Sequence, residues 1–203
     1  MIPMASATIA LSAGDGLLIA DIQNDFLPGG ALGVKGGDEV VPVLLDYIAR
    51  FQANRLPVFA SRDWHPPNHC SFREQGGIWP IHCVAGSEGA QPPPNFRLPS
   101  SAVLVHKATS PDKEAYSAFQ DTALDEHLRT ARVKRLFIGG LATEYCVLNT
   151  VRDALARQYQ IFFLTDGMRA VNLHPDDGRR AEEEMIRLGA APLRMEHLSD
   201  RSE

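Results

Sequence analysis

Cysteine is scarce in this chain: Cys70, Cys83 and Cys146 are the only three among 203 residues. An odd, sparse set with no secretory signal excludes a disulfide-stapled scaffold and fits a reduced cytoplasmic protein. Long apolar runs are also missing. Asp15 interrupts the opening apolar stretch, that stretch has no basic leader, and no run is long enough to cross a membrane. Positive charge is in short supply, with 20 Lys and Arg against 25 Asp and Glu and a net charge of −5. Such a balance argues against a nucleic-acid partner, which requires a basic patch. Neither G-x-G-x-x-G nor a Walker sequence occurs, so nothing supports a nucleotide cofactor.

Apolar content, by contrast, is ample at 44%, enough for a core without staples. The length predicts one domain over residues 1–203, with a core at about 15–198 and no second domain. Short apolar runs alternate with helical patterns. The runs at 16–21, 56–63, 102–108, 135–142 and 160–168 read as strands, with a sixth at 191–198. The stretches at 37–54, 122–132, 143–158 and 175–189 read as helices. Residues 64–100 show no period and carry seven of the fourteen prolines. Strands that are apolar throughout, with helices between them, predict a doubly wound α/β domain. Its sheet would have about six mainly parallel strands, with helices on both faces.

In such folds ligands sit beyond the carboxyl ends of the strands. Those ends carry Asp21, Asp63, Lys107 and, just past the fourth strand, Cys146. In "GGLATEYC", Thr143 reads as a helix N-cap with Cys146 at the third helical position. There the helix's positive end would favour thiolate, and free backbone N–H groups could hold an oxyanion. The alternative is a buried small thiol. Asp21 and Lys107 each break an apolar strand end and are expected to pair, either as a structural ion pair or as a base and its counter-charge.

The loop "SRDWHPPNHCSF" adds Asp63 and His65, and "WPIHC" adds His82. These oxygen and nitrogen donors suit zinc, with iron and manganese as alternatives. Three protein ligands with open positions is a substrate-binding or catalytic pattern, whereas closed structural zinc sites usually have four. His69 and Glu74 are candidate outer contacts, direct or through water. The bland alternative is that these histidines cap turns in a Pro-rich loop. Cys70 and Cys83 lack metal-site spacing and are assigned to packing. Phe26, Trp79, Tyr116 and Tyr145 each lie beside a candidate site residue and could wall a pocket for a flat ring.

The stretches "IADIQNDFLPGGAL", "DWHPPNHCSF", "WPIHCV", "HKA", "AYSAF" and "GGLATEYCV" together resemble the nicotinamidase/pyrazinamidase branch of the isochorismatase-like cysteine hydrolases, over about residues 15–190. The resemblance implies an isochorismatase-like fold and a catalytic triad of Asp21, Lys107 and Cys146, with Asp21 rather than Asp25 as the acid. It also implies one divalent metal on Asp63, His65 and His82, a cis peptide before Ala142, and an oxyanion hole from the N–H groups of Ala142 and Cys146. The implied reaction is deamidation of nicotinamide, and of pyrazinamide, through a thioester. The protein would then be a cytoplasmic enzyme of NAD salvage with a small-molecule substrate and no nucleic-acid or membrane partner. No sequence feature names an interface, so a homo-oligomer stays open. Two rivals remain: a relative acting on a small carbamoyl or ureido substrate, and a metal-stabilised binding protein without catalysis.

Overall fold

Ile138, Phe137 and Leu136 are fully buried in succession, as expected of a strand covered on both faces. The computed structural model describes residues 8–201. It contains a six-stranded parallel sheet built from β1 (Asp15–Ala20), β2 (Val58–Asp63), β3 (Val103–Lys107), β4 (Arg135–Leu141), β5 (Gln160–Arg169) and β6 (Ala191–Leu193). The spatial order is β3-β2-β1-β4-β5-β6, and every pairing is parallel. The order reverses between β1 and β4, which is where ligands bind in open α/β sheets.

Alternate residues of each strand face opposite ways. Leu17, Ile19 and Phe137 join a core with α1 (Val40–Ala53) through Val41, Leu44, Ile48 and Phe51. Leu18, Ala20, Leu136 and Ile138 join a second core with α2 (Leu124–Thr130), α3 (Leu148–Ala156) and α4 (Asp177–Arg187). Phe137 stacks on Phe162 at 4.8 Å and meets the edge of Phe51 at 5.3 Å. Phe137→Ala is expected to destabilise the protein by about 3–5 kcal/mol through the cavity it leaves. Urea unfolding measures this loss, while turnover per folded molecule stays near that of the parent.

The structure departs from the sequence expectation in two places. The run at 191–198 is not one strand. After Leu193 the chain turns through a short 3-10 segment, Met195–His197, and Leu198–Ser199 then pairs with Ile9–Ala10 in a separate two-stranded ladder. The ladder runs through Pro192 to Leu193, and beyond it the Met195 N–H is captured by the Asp166 carboxylate at 2.9 Å. The helix expected at 143–158 begins instead as a π turn, Thr143–Val147, with Ala142 at its N-cap. Thr143 is therefore inside the helix and gives no side-chain cap. Expectations for residues 1–7, including the leader reading, lie outside the described residues.

At the β1–β4 junction the backbones come very close. A Cβ on Gly140, whose φ is +126°, would run into the backbone of Ala20. Glycine is required there on both counts, and the approach brings the end of β1 against the segment that carries Cys146.

Candidate active site

β1 ends at Ala20, and the next residue, Asp21, takes φ 51°, the left-handed region. Asp and Asn visit this region more readily than other non-glycine residues. The turn aims the Asp21 carboxylate across the sheet edge towards the end of β3. There Lys107 Nζ lies 3.0 Å from Asp21 Oδ2 and 3.5 Å from Cys146 Sγ, donates to Ala115 O at 3.1 Å, and is also hydrogen-bonded to Asp63 Oδ1. All four side chains are buried. Asp21, Lys107 and Cys146 therefore meet, although 125 residues separate the first from the last.

Burial and the neighbouring Asp63 raise the Asp21 pKa, while Lys107 opposes them. Burial also pushes the Cys146 thiol well up, against the pull of Lys107 and with help from Asp21 and Asp63. Burial and the helix's positive end therefore act on the Cys146 thiol in opposite directions. A thiol with a buried carboxylate beside it, whose own proton affinity is raised, suits transfer of the proton as attack begins. Burial disfavours the Lys107 ammonium, but Asp21, Asp63 and Cys146 outweigh it and hold its pKa well above the usual range.

Asp63 ends β2 and faces two ways. Oδ1 takes the Lys107 hydrogen bond, and Oδ2 lies 3.6 Å from His65 Nε2. Burial would raise its pKa, but the charge of Lys107 and the hydrogen bond it donates hold it below the usual carboxylate range. Among the described residues, ligand atoms of Asp63, His65 and His82 lie within 4.8 Å of one another, as do those of Asp21, Asp63 and Cys146. Asp63 belongs to both groups.

The histidine tautomers bear on whether this set fits a metal. His65 Nδ1 faces the Ala108 carbonyl at 3.3 Å, and His82 Nδ1 faces the Pro80 carbonyl at 2.8 Å. A carbonyl only accepts, so each Nδ1 carries the proton and each Nε2 keeps its lone pair. His65 Nε2 is buried without a hydrogen-bond partner. Burial lowers the His82 pKa, which favours the neutral, ligating form. Two oriented lone pairs beside an ionised carboxylate fit a divalent cation.

His69 and Glu74 do not join this set. His69 Nε2 donates to Lys113 O at 2.9 Å, and its Nδ1 is taken by Ser71, with Oγ at 2.8 Å, so neither nitrogen faces an ion. Glu74 is exposed on the short turn Arg73–Gln75. Cys70 is half-buried and Cys83 is buried, and both are free.

The aromatic residues cluster as well. The Trp79 indole N–H donates to the Tyr116 hydroxyl at 3.0 Å, and the ring of Tyr145 lies 5.0 Å from Trp79 and 5.4 Å from Tyr116. Phe26 stands apart from these three, 5.6 Å from His82. The Leu141–Ala142 peptide is cis.

Two further buried side chains, outside the sequence expectation, hydrogen-bond within the site. Gln23 is fully buried; its amide donates to Asp63 O at 2.8 Å and Ala90 O at 3.0 Å, and it accepts the Asp63 N–H at 2.9 Å. Ser61 donates to Asp21 Oδ1 at 2.6 Å. A serine two residues before Asp63, hence on the same face of a buried strand, was the available signal. Asp25 accepts the Cys83 N–H at 2.7 Å and so steadies the segment next to His82.

Residues 15–196 match the isochorismatase domain. The chain belongs to the isochorismatase family. Within that family it is 43% identical over 195 residues to nicotinamidase of Escherichia coli, covering 86% of this chain and 92% of that one. A pyrazinamidase of Pyrococcus horikoshii, solved in complex with zinc, superposes with a TM-score of 0.86 at 45% identity, over 90% of this chain and 99% of that one. PnC1 from L. infantum, solved in complex with nicotinate, gives a TM-score of 0.89 at 32% identity, over 96% and 100%. This member of the family is an amidohydrolase with an α/β fold. No helix among the described residues is long and apolar enough to cross a membrane.

Proposed function

We propose that this isochorismatase-family protein is a nicotinamidase, hydrolysing nicotinamide to nicotinate and ammonia, and pyrazinamide to pyrazinoate, through a thioester on Cys146. The observation that carries the reading is that Asp63 belongs to both the Lys107-centred group and the histidine group. An acyl-transfer centre and a site for a ring-binding cation thus lie side by side. The nicotinamidase and pyrazinamidase relatives support the same substrate class.

Asp63, His65 and His82 would hold the ion, with zinc as the first choice and iron or manganese as alternatives. When bound, the ion supplies a Lewis acid for a pyridine ring nitrogen. Phe26, Trp79, Tyr116 and Tyr145 flank the ring and orient it. The Cys146 thiol gives its proton to Asp21 as sulfur attacks the carboxamide carbon. Lys107 stabilises the charge that passes between them. Backbone N–H groups of Ala142 and Cys146 receive the oxyanion. Asp21 then gives that proton to the amide nitrogen, which leaves as ammonia as the C–N bond breaks, and a thioester remains. Asp21 next takes a proton from water, whose oxygen attacks the thioester, releasing nicotinate and restoring the thiol. The protein would be a single-domain, cytoplasmic enzyme of NAD salvage, with nicotinamide as its small-molecule partner and a homo-oligomeric state open to measurement.

The test is ammonia release from nicotinamide and pyrazinamide before and after chelation, with elemental analysis alongside. Chelation is expected to slow turnover at least about 10–100-fold, with recovery on adding zinc. Full-speed turnover by metal-free protein would sink the ring-holding role. Activity on ureido or carbamoyl substrates with none on nicotinamide would replace the substrate.

A further inference from the structure

We infer that Ser61 is a positioning residue for the base: its hydroxyl takes Asp21 Oδ1 and leaves Oδ2 as the oxygen that receives the Cys146 proton. This rests on reading Asp21 as the base. Ser61 is a polar interruption in β2, after Val58, Phe59 and Ala60, and is 2% exposed. A buried hydroxyl left unbonded is costly, so the serine needs an acceptor. The acceptor is Asp21 Oδ1 at 2.6 Å, a short, charge-assisted contact. The backbones are tied at the same point. Ser61 is the ladder partner of Ala20, and the Asp21 N–H donates to Ser61 O at 3.2 Å. One residue on the neighbouring strand therefore holds Asp21 by both main chain and side chain.

The second oxygen is in the opposite condition. Oδ2 is buried, and although Lys107 Nζ is 3.0 Å away, no hydrogen bond is aligned on it. The same ammonium lies 3.5 Å from Cys146 Sγ, and a carboxylate oxygen of Asp21 lies within 4.8 Å of that sulfur. Lys107 thus gathers the sulfur and the unengaged oxygen around one charge. In the first half-reaction the Sγ proton moves to Oδ2 as the S–C bond forms, and Oδ2 then passes it to the departing nitrogen. In the second half, Oδ2 takes a proton from water and returns it to sulfur as the thioester breaks. Ser61 keeps its own proton throughout. Without that hydroxyl, the carboxylate can turn about its last bond and present either oxygen, or neither, to the thiol.

The measurement is steady-state nicotinamide hydrolysis by metal-loaded Ser61→Ala, Ser61→Thr and Asp21→Asn, with thermal unfolding and metal content of each. Misplacement of a reacting group by about 1 Å costs about 100-fold, so Ser61→Ala should lose about 10–100-fold in kcat. KM and metal content should change less than about twofold, because neither the ring nor the ion is touched. Ser61→Thr, which keeps the hydroxyl, should recover most of kcat. The assignment is overturned if Ser61→Ala keeps kcat within about twofold, if its loss lies in KM, or if the threonine variant is as slow as the alanine one. Asp21→Asn separates the two levels. If it remains active, the base reading itself fails. If it is inactive while Ser61→Ala runs at full speed, only the role of Ser61 fails.

Discussion

Cys146→Ala protein folds, retains its metal and releases ammonia from nicotinamide on the order of 10⁴–10⁶ times more slowly than the parent. The factor is large because the change removes the only sulfur in contact with Lys107 Nζ among the described residues, and with it the atom that would form the thioester. Folding should survive, since Cys146 is a small buried side chain of one core cluster, and alanine fills most of its volume. The residual rate reflects whatever the oxyanion donors and the ring-binding wall still contribute. An ammonia-release assay with metal-replete protein decides the matter. Persistent turnover would mean that water attacks directly and that no thioester forms. A parent protein that binds nicotinamide without releasing ammonia would instead place the chain among non-catalytic binding proteins.

Lys107→Met is expected to cost stability through charge rather than packing. The ammonium is 1% exposed and lies against both Asp21 and Asp63, so methionine leaves two carboxylates buried without their counter-charge. Removing one partner of a buried pair costs about 3–5 kcal/mol, much of it the desolvation of what remains. The folded-state pKa of Lys107 is raised above its ordinary 10.5. Its contribution is therefore fully present below that value and fades only as pH climbs through the raised one. Denaturant unfolding at pH 7 consequently captures the whole effect. A loss below about 1 kcal/mol would show that water reaches the carboxylates and that the pair behaves like a surface one.

Much of the fold was legible in the sequence because the signals were local. Continuous apolar runs such as those around Leu17 and Ile138 mark strands buried on both faces, and they fell within a residue or two of β1 and β4. The convergence of Asp21, Asp63, Lys107 and Cys146 followed from one rule about strand ends, and the structure places them together. What escaped depends on three-dimensional geometry that residue pattern does not carry. The π turn at Thr143–Val147 is a difference of hydrogen-bond span that residue pattern does not encode. The break after Leu193 depends on Asp166, a residue of another strand. His69 resembles a ligand in sequence, and only the positions of Ser71 and Lys113 reveal that its nitrogens are committed. For Cys146 the helix position is visible in a sequence, whereas the depth of burial that opposes its effect on the thiol is not.

The left-handed backbone at Asp21 limits what selection can place there. On conformational grounds aspartate and asparagine are the non-glycine residues best suited to the position, and of these only aspartate can carry a proton. A glutamate would bring the right chemistry on the wrong backbone, and a glycine the right backbone with no chemistry. The base thus occupies a point in sequence space with almost no neutral neighbours. Asparagine, which keeps both the chain's path and the shape of the side chain, abolishes the chemistry while leaving the architecture alone.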